Sequence, residues 1–161
     1  MRDADIQLRP ATRADLPAVG RMGAQLLRAH HGFDSCRFMA PREGAEEGYA
    51  WFLGTQLEEP NSVVLVAESG GRVVGYAYAA MEPLSWKELR DAAGFIHDVY
   101  VDEAAREAGV ASALVEACVR WLSDRGAPRV LLWTAVPNDT ARRLFERLGF
   151  RHTMLEMTRE C

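Results

Sequence analysis

Apolar residues recur along this chain with two alternating periods. Ile6-Gln7-Leu8-Arg9 alternates as a short strand does, and Pro10, Thr12 and Asp15 mark a turn into a helix that either Thr12 or Asp15 could cap. Leu16, Val19, Met22, Leu26 and Leu27 then fall at helical spacing, and the pattern fades at His30-His31-Gly32. Phe33 to Gly44 has no period, contains Pro41 and predicts a loop. Tyr49, Phe52, Leu53 and Leu57 line a second helix that ends before Pro60-Asn61. Two β-rich runs, Ser62 to Glu68 and Arg72 to Ala79, flank Ser69-Gly70-Gly71 and predict a hairpin. A connection from Met81 to Gly94, with room for a helical turn at Glu88 to Ala92, leads to a strand from Phe95 to Val101.

Val110, Leu114, Cys118, Trp121 and Leu122 share one face of a third helix that stops near Gly126 and Pro128. The unbroken apolar run Val130 to Val136 predicts a strand covered on both faces. Asn138 opens a last helix bearing Ala141, Leu144, Phe145 and Leu148 on one side and Gly149 at its end, and His152 to Arg159 reads as a closing strand. The order β-α-α-β-β-β-α-β-α-β predicts a mixed α/β (α+β) fold, a mostly antiparallel sheet with one β-α-β crossover. The 161 residues suit a single domain over 1–161, without internal repeat or linker.

Composition narrows the classes. Cys36, Cys118 and Cys161 show no metal-ligand spacing, which fits a reducing cytoplasm, and His30-His31 lacks a third ligand, so no metal is expected. No run approaches the length needed to cross a bilayer, and Arg2, Asp3 and Asp5 stand where a signal peptide needs an apolar core, so a soluble, unexported protein is expected. A net charge of -4 argues against nucleic acid or an anionic membrane as partner and suits a cationic substrate. The acidic residues Glu43, Glu46, Glu47, Glu58 and Glu59 read first as a solvated helix face, with substrate attraction as the alternative.

The chemistry concentrates where the fourth strand meets the third helix. From Val99 to Leu114 a β-rich segment turns through Arg106-x-x-Gly109-x-Ala111 into an amphipathic helix. A loop closing on a helix N-terminus presents several unpaired N–H groups and partial positive charge to one point, which suits a diphosphate, and Gly109 lets a ligand approach the backbone. A second pattern, Asn138-x-x-Ala141-x-x-x-Phe145-x-x-x-Gly149-Phe150, follows at the last helix.

Together these resemble motifs A and B of the GNAT superfamily of N-acetyltransferases, and the order of elements resembles that family's fold over essentially the whole chain. The resemblance implies acetyl-CoA as cosubstrate. Its pantetheine arm would pair with the backbone of Val99 and Val101 in the segment Val99-Tyr100-Val101. Its diphosphate would sit in the turn Arg106-Glu107-Ala108-Gly109-Val110-Ala111-Ser112, on the N–H groups from Ala108 to Ser112. Asn138, Ala141 and Phe145 would line the other side. Three positions depart from the family pattern: Glu107 where glycine is frequent, Ala108 where lysine or glutamine is frequent, and Phe145 where many relatives carry the tyrosine that protonates the leaving thiolate. Glu107 is expected to point outward, and cofactor affinity to be low.

Acyl transfer to an amine needs a proton acceptor and a donor for the carbonyl oxygen, here the Val99 N–H. By alternation His97 shares a face with Val99 and Val101, where relatives often place a glutamate, and imidazole titrates in the right range for a base. The other reading of His97 is a strand histidine bonded to a neighbour. Asp98 points the other way on the same count and anchors the strand or touches substrate; a bulge would exchange the two roles and bring Tyr100 forward as an acid. Glu156 is a further candidate for contact with the amine. The expected activity is acetyl transfer from acetyl-CoA to a primary amine of a small molecule or peptide; the alternative is a non-catalytic acyl-CoA-binding or interaction module. Exposed sheet edges leave a homodimer open.

Overall fold

The computed structural model describes residues 6–161; Arg2, Asp3 and Asp5 lie outside the described residues. Five strands lie side by side in chain order: β1 (Gln7–Pro10), β2 (Ser62–Ser69), β3 (Arg72–Glu82), β4 (Ala93–Val101) and β5 (Val130–Leu132). The first three pairings are antiparallel and the β4–β5 pairing is parallel, which requires the crossover through α3 (Val110–Ser123).

α1 (Leu16–Phe33) and α2 (Ala45–Gln56) cover one face of the sheet, where Val19, Met22 and Leu53 pack on Val64, Val66, Tyr76 and Tyr78. On the other face α3 packs Val110, Leu114, Cys118 and Leu122 on Val63, Leu65, Ala77 and Ile96. Phe145 and Leu148 of α4 (Asp139–Arg147) join that cluster. Cys118 is fully buried and burial pushes its thiol up to about 12, so it serves as a small apolar residue. Among the described residues no helix is long and apolar enough to cross a membrane.

The two helices on one face cross closely because α1 carries glycine at the contact. A Cβ on Gly23 would lie 2.1 Å from the Tyr49 ring, and one on Gly20 would lie 2.5 Å from the Glu46 carbonyl oxygen. Any side chain there would lift α2, and with it Tyr49, away from the sheet.

Four expectations from the periodicity are corrected. β5 is three residues long and half-buried, because the chain leaves the sheet at Trp133 and neither face of the run is fully covered. His152 to Arg159 forms no strand, because it finds no ladder partner among the described residues. The Glu88 to Ala92 turn is no helix; Ser85 and Arg90 bridge as a small hairpin beyond β3. The first helix also runs to Phe33, past the expected fade, because His30 and His31 find carbonyl partners at Leu26 and Phe38.

Arg9 fastens β1 to the start of α1 and to β2. Its guanidinium donates to both oxygens of Asp15, at 2.7 and 2.9 Å, and to Glu68 Oε2 at 2.8 Å. Asp15 is 7% exposed and also accepts from the Thr12 N–H and hydroxyl. The Arg9 bonds hold its carboxyl down to about 2. The folded pKa lies below that of the unfolded chain, so this stabilisation is full above about pH 4 and is lost as pH falls toward 2; at about 1.4 kcal/mol per unit it amounts to roughly 2 kcal/mol. Asp15→Asn is therefore expected to lower stability near neutrality by that amount and to flatten the acid limb, as read from urea midpoints against pH. An unchanged acid limb would assign the acid sensitivity to other carboxylates.

Candidate active site

β4 contains one residue more than its neighbour can pair. Tyr78 faces Asp98, but the next β3 residue, Ala79, faces Ile96, so His97 is the bulged residue. The bulge falls where β4 loses its other neighbour: β5 pairs with Gly94, Phe95 and Ile96 and then departs. From His97 onward β4 has no strand partner on that side among the described residues. The Asp102 N–H donates to the Val74 carbonyl at 2.9 Å, so by antiparallel alternation Asp98 and Tyr100 aim their backbone groups at β3, while Val99 and Val101 aim theirs at the open edge. On that edge Arg106 Nε donates to the Val101 carbonyl at 3.1 Å.

The bulge corrects the predicted facing of His97. Val99 and Val101 belong to the α3 side, whereas His97 stacks between Tyr78 and Phe95, with centroids 4.9 and 4.6 Å away, on the side of α2. Asp98 lies on that side too, because its Oδ2 accepts from Tyr49 of α2 at 2.9 Å and from Tyr76 of β3 at 3.0 Å. The extra residue turns two consecutive side chains to one face. Tyr100 packs on the α1–α2 side with Arg106 over its ring, and is not among the residues that line the cleft.

The divergence of β4 and β5 opens a cleft lined by Leu26 and His30 of α1, by Ile96 to Val99, by Leu132, Trp133 and Thr134, and by Asn138, Ala141 and Phe145. Both histidines have one nitrogen committed. Glu82 Oε1 lies 2.8 Å from His97 Nε2, and the Leu26 carbonyl lies 2.9 Å from His30 Nδ1. These oxygens only accept, so they place the ring proton on the bonded nitrogen and leave His97 Nδ1 and His30 Nε2 free to accept a proton. Burial raises the Asp98 carboxyl above the usual carboxylate range, although both tyrosine hydroxyls and the nearby histidines oppose this. Burial, then the Asp98 charge, raises the phenols of Tyr49 and Tyr76.

The turn after β4 continues from the open edge of that strand. Glu107 (φ 70°) and Gly109 (φ 75°) both sit in the left-handed region, which curls the loop onto the start of α3. The N–H of Ala113 is the first to bond back, to the Gly109 carbonyl at 3.0 Å, and among the described residues no backbone acceptor serves the N–H groups of 107–112. A Cβ built on Gly109 meets no protein atom within 4 Å, so the space above the turn is open. Arg106, Glu107, Ala108 and Gly109 are exposed, Val110 is buried, and Ala111 and Ser112 are half-buried.

Asn138 Oδ1 caps α4 by accepting the Ala141 N–H at 3.2 Å, and all three motif B residues line the cleft. Glu156 pairs with Arg37 and does not line it. His30, Tyr49, Tyr76, Glu82 and Thr134 escaped the motif reading. The tyrosines read as core positions, Glu82 meets His97 only through the strand pairing, and Thr134 sits inside an apolar run. Its buried hydroxyl has no partner among the described residues. Of the adjacent histidines, His30 faces the cleft while His31 bonds to the Phe38 carbonyl, and no group of three metal-ligating side chains occurs among the described residues.

Residues 26–150 match the Acetyltransferase (GNAT) family. The chain is 28% identical over 123 residues to an uncharacterised N-acetyltransferase of Methanocaldococcus jannaschii, covering 76% of this chain and 52% of that protein, so it spans about half that relative's length. It is 29% identical over 147 residues to the uncharacterised N-acetyltransferase YhfO of Bacillus subtilis, covering 90% and 89%. A crystal structure of a predicted acetyltransferase with acetyl-CoA from Clostridium acetobutylicum shares the fold, with TM-score 0.73 at 16% identity and 96% of each chain covered.

The left-handed Glu107 strains the turn, since a side chain there costs about 1 to 2 kcal/mol against glycine. Glycine returns part of that through its larger unfolded-state entropy, leaving a net gain of about 0.5 to 1 kcal/mol. Glu107→Gly is expected to raise the denaturation midpoint accordingly, and Glu107→Val to lower it. Equal or lower stability of the glycine variant would contradict the left-handed turn.

Proposed function

The chain belongs to the acetyltransferase (GNAT) family, and from that membership we propose that it transfers the acetyl group of acetyl-CoA to a primary amine of a small molecule or peptide. The observation that carries this reading is the run of unpaired backbone donors from Val99 and Val101 to the start of α3, bordering a cleft that holds two histidines and a tyrosine-bound carboxylate. Val99 and Val101 receive the amides of the pantetheine arm as a further strand would. The free N–H groups of Gly109 to Ser112 and the helix dipole bind the diphosphate, and the open space at Gly109 fits it. Acetyl-CoA supplies the activated acyl group, and the residues below handle protons and charge around it.

A primary amine is mostly protonated at neutral pH and must lose a proton to attack. His97 takes it on Nδ1, while Glu82 holds Nε2 and stabilises the imidazolium that results. Asp98, gripped by Tyr49 and Tyr76 on Oδ2, has no side-chain donor on Oδ1 among the described residues and attracts the incoming ammonium. The Val99 N–H meets the negative charge that develops on the carbonyl oxygen. Phe145 has no proton to give, so the sulfur leaves as a thiolate to which the Thr134 hydroxyl donates, and this thiolate takes up the second nitrogen proton that is shed as the adduct collapses to the amide. The exposed acidic residues of α2 and its flanks lie outside the cleft and are left to solvent and to the Arg13–Glu58 pair.

Release of free thiol is expected only with acetyl-CoA and an amine together. His97→Ala should lower kcat by on the order of a hundredfold and leave acetyl-CoA affinity within a few-fold; unchanged kcat would remove His97 from proton transfer. Gly109→Asp should abolish acetyl-CoA binding, read by isothermal titration, while unfolding stays cooperative at a midpoint lowered by the strain of a side chain at φ 75°, which Gly109→Ala shares without the added charge. Full affinity in that variant would move the diphosphate elsewhere, and binding without transfer to any amine would favour a non-catalytic module.

A further inference from the structure

We propose that His30 is the third contact of the acceptor's ammonium group, and that with His97 and Asp98 it makes the site selective for unsubstituted primary amines over their N-methyl counterparts. The inference rests on the acetyltransferase reading above and carries it from amines in general to one class of amine.

His30 lines the cleft from α1, and the steps above give it no task. Its ring is held firmly. Nδ1 lies 2.9 Å from the Leu26 carbonyl, and the rings of Phe33 and Phe38 meet it edge-on, with centroids 5.8 and 5.0 Å away. The carbonyl only accepts, so the ring proton stays on Nδ1 and Nε2 keeps a lone pair with no partner among the described residues. Contact with Phe33 and Phe38 calls for a flat ring but not for a second nitrogen.

Two further acceptors open on the same cleft. His97 Nδ1 is unprotonated because Nε2 donates to Glu82, and Asp98 Oδ1 has no side-chain donor among the described residues, since both tyrosines donate to Oδ2. Both histidines lie near enough to Asp98 to favour its charged form. No lysine or arginine lines the cleft to donate to any of the three. Three acceptors and one carboxylate, brought together from α1 and from two consecutive residues of β4, fit a cation with three N–H donors.

A primary ammonium is that cation. An N-methyl ammonium has one donor fewer and sets a methyl group against an acceptor that has lost its water, which a site built for hydrogen bonding rejects strongly. His30 serves the bound cation and takes no proton. Once His97 has taken one, the amine turns about its C–N bond and its lone pair forms the new bond to the acetyl carbon. The C–S bond then breaks and the thiolate takes the second proton. Loss of His30 therefore weakens amine binding and spares the chemical steps.

Thiol release at saturating acetyl-CoA, measured for n-butylamine and benzylamine against their N-methyl derivatives, should give kcat/KM on the order of a hundredfold higher for the primary amines. His30→Phe keeps a flat ring beside Phe33 and Phe38 and removes both nitrogens. It should raise KM for the primary amines by about tenfold, leave kcat within a few-fold and cut the selectivity to about tenfold. His30→Gln returns an acceptor and should recover most of that selectivity, with acetyl-CoA affinity and melting midpoint as in the wild type. Equal kcat/KM for primary and N-methyl amines in the wild type, unchanged selectivity in His30→Phe, or a fall in kcat at constant KM would each overturn the proposal and leave the acetyltransferase reading standing. Absence of turnover with every amine would remove that reading, and this inference with it.

Discussion

One unpaired residue in β4 organises this molecule. Placing His97 outside the ladder turns His97 and Asp98 to the α2 side together and returns Val99 to the α3 side. It does so at the level where β5 leaves, so the strand that carries the chemistry is also the strand with a free edge. Had the ladder stayed regular, His97 and Asp98 would face opposite sides, and only one of them would share the α2 side with Tyr49.

The bulge is supported from two directions. Tyr76 and Tyr49 both donate to one Asp98 oxygen, which ties the strand after the bulge to β3 and to α2. Tyr49 reaches that carboxylate because Gly20 and Gly23 let α2 lie close on α1. Packing of two helices is thereby converted into the position of a carboxylate, and its buried charge is met by two hydroxyl donors instead of by a cation. Before the bulge, the rings of Tyr78 and Phe95 sandwich His97 and fix its plane, while Glu82 fixes its proton.

Much of this was legible in the sequence. Period alone located all four helices and the first four strands, and the two motifs placed Arg106 to Ser112 at the helix start and Asn138, Ala141 and Phe145 beside the cleft. What periodicity misjudged has a common cause. It counts residues along one strand and is blind to what lies beside it. The facing of His97 depends on how many residues β3 offers opposite, the length of β5 depends on where its neighbour diverges, and residues 152–159 need a partner that the described chain does not bring to them. The polar shell was hidden for the same reason: Tyr49, Tyr76 and Glu82 meet His97 and Asp98 through helix packing and strand register, over separations that carry no local pattern.

The central claim is that the open edge of β4 and the turn after it receive one ligand. The most direct measurement is backbone amide exchange, residue by residue, with and without saturating acetyl-CoA. The account predicts slowed exchange at Val99, Val101 and Gly109 to Ser112, with Asp98 and Tyr100, already bonded to β3, unaffected. Unchanged exchange at Val99 and Val101 under saturation, or slowing confined to another edge of the sheet, would contradict it.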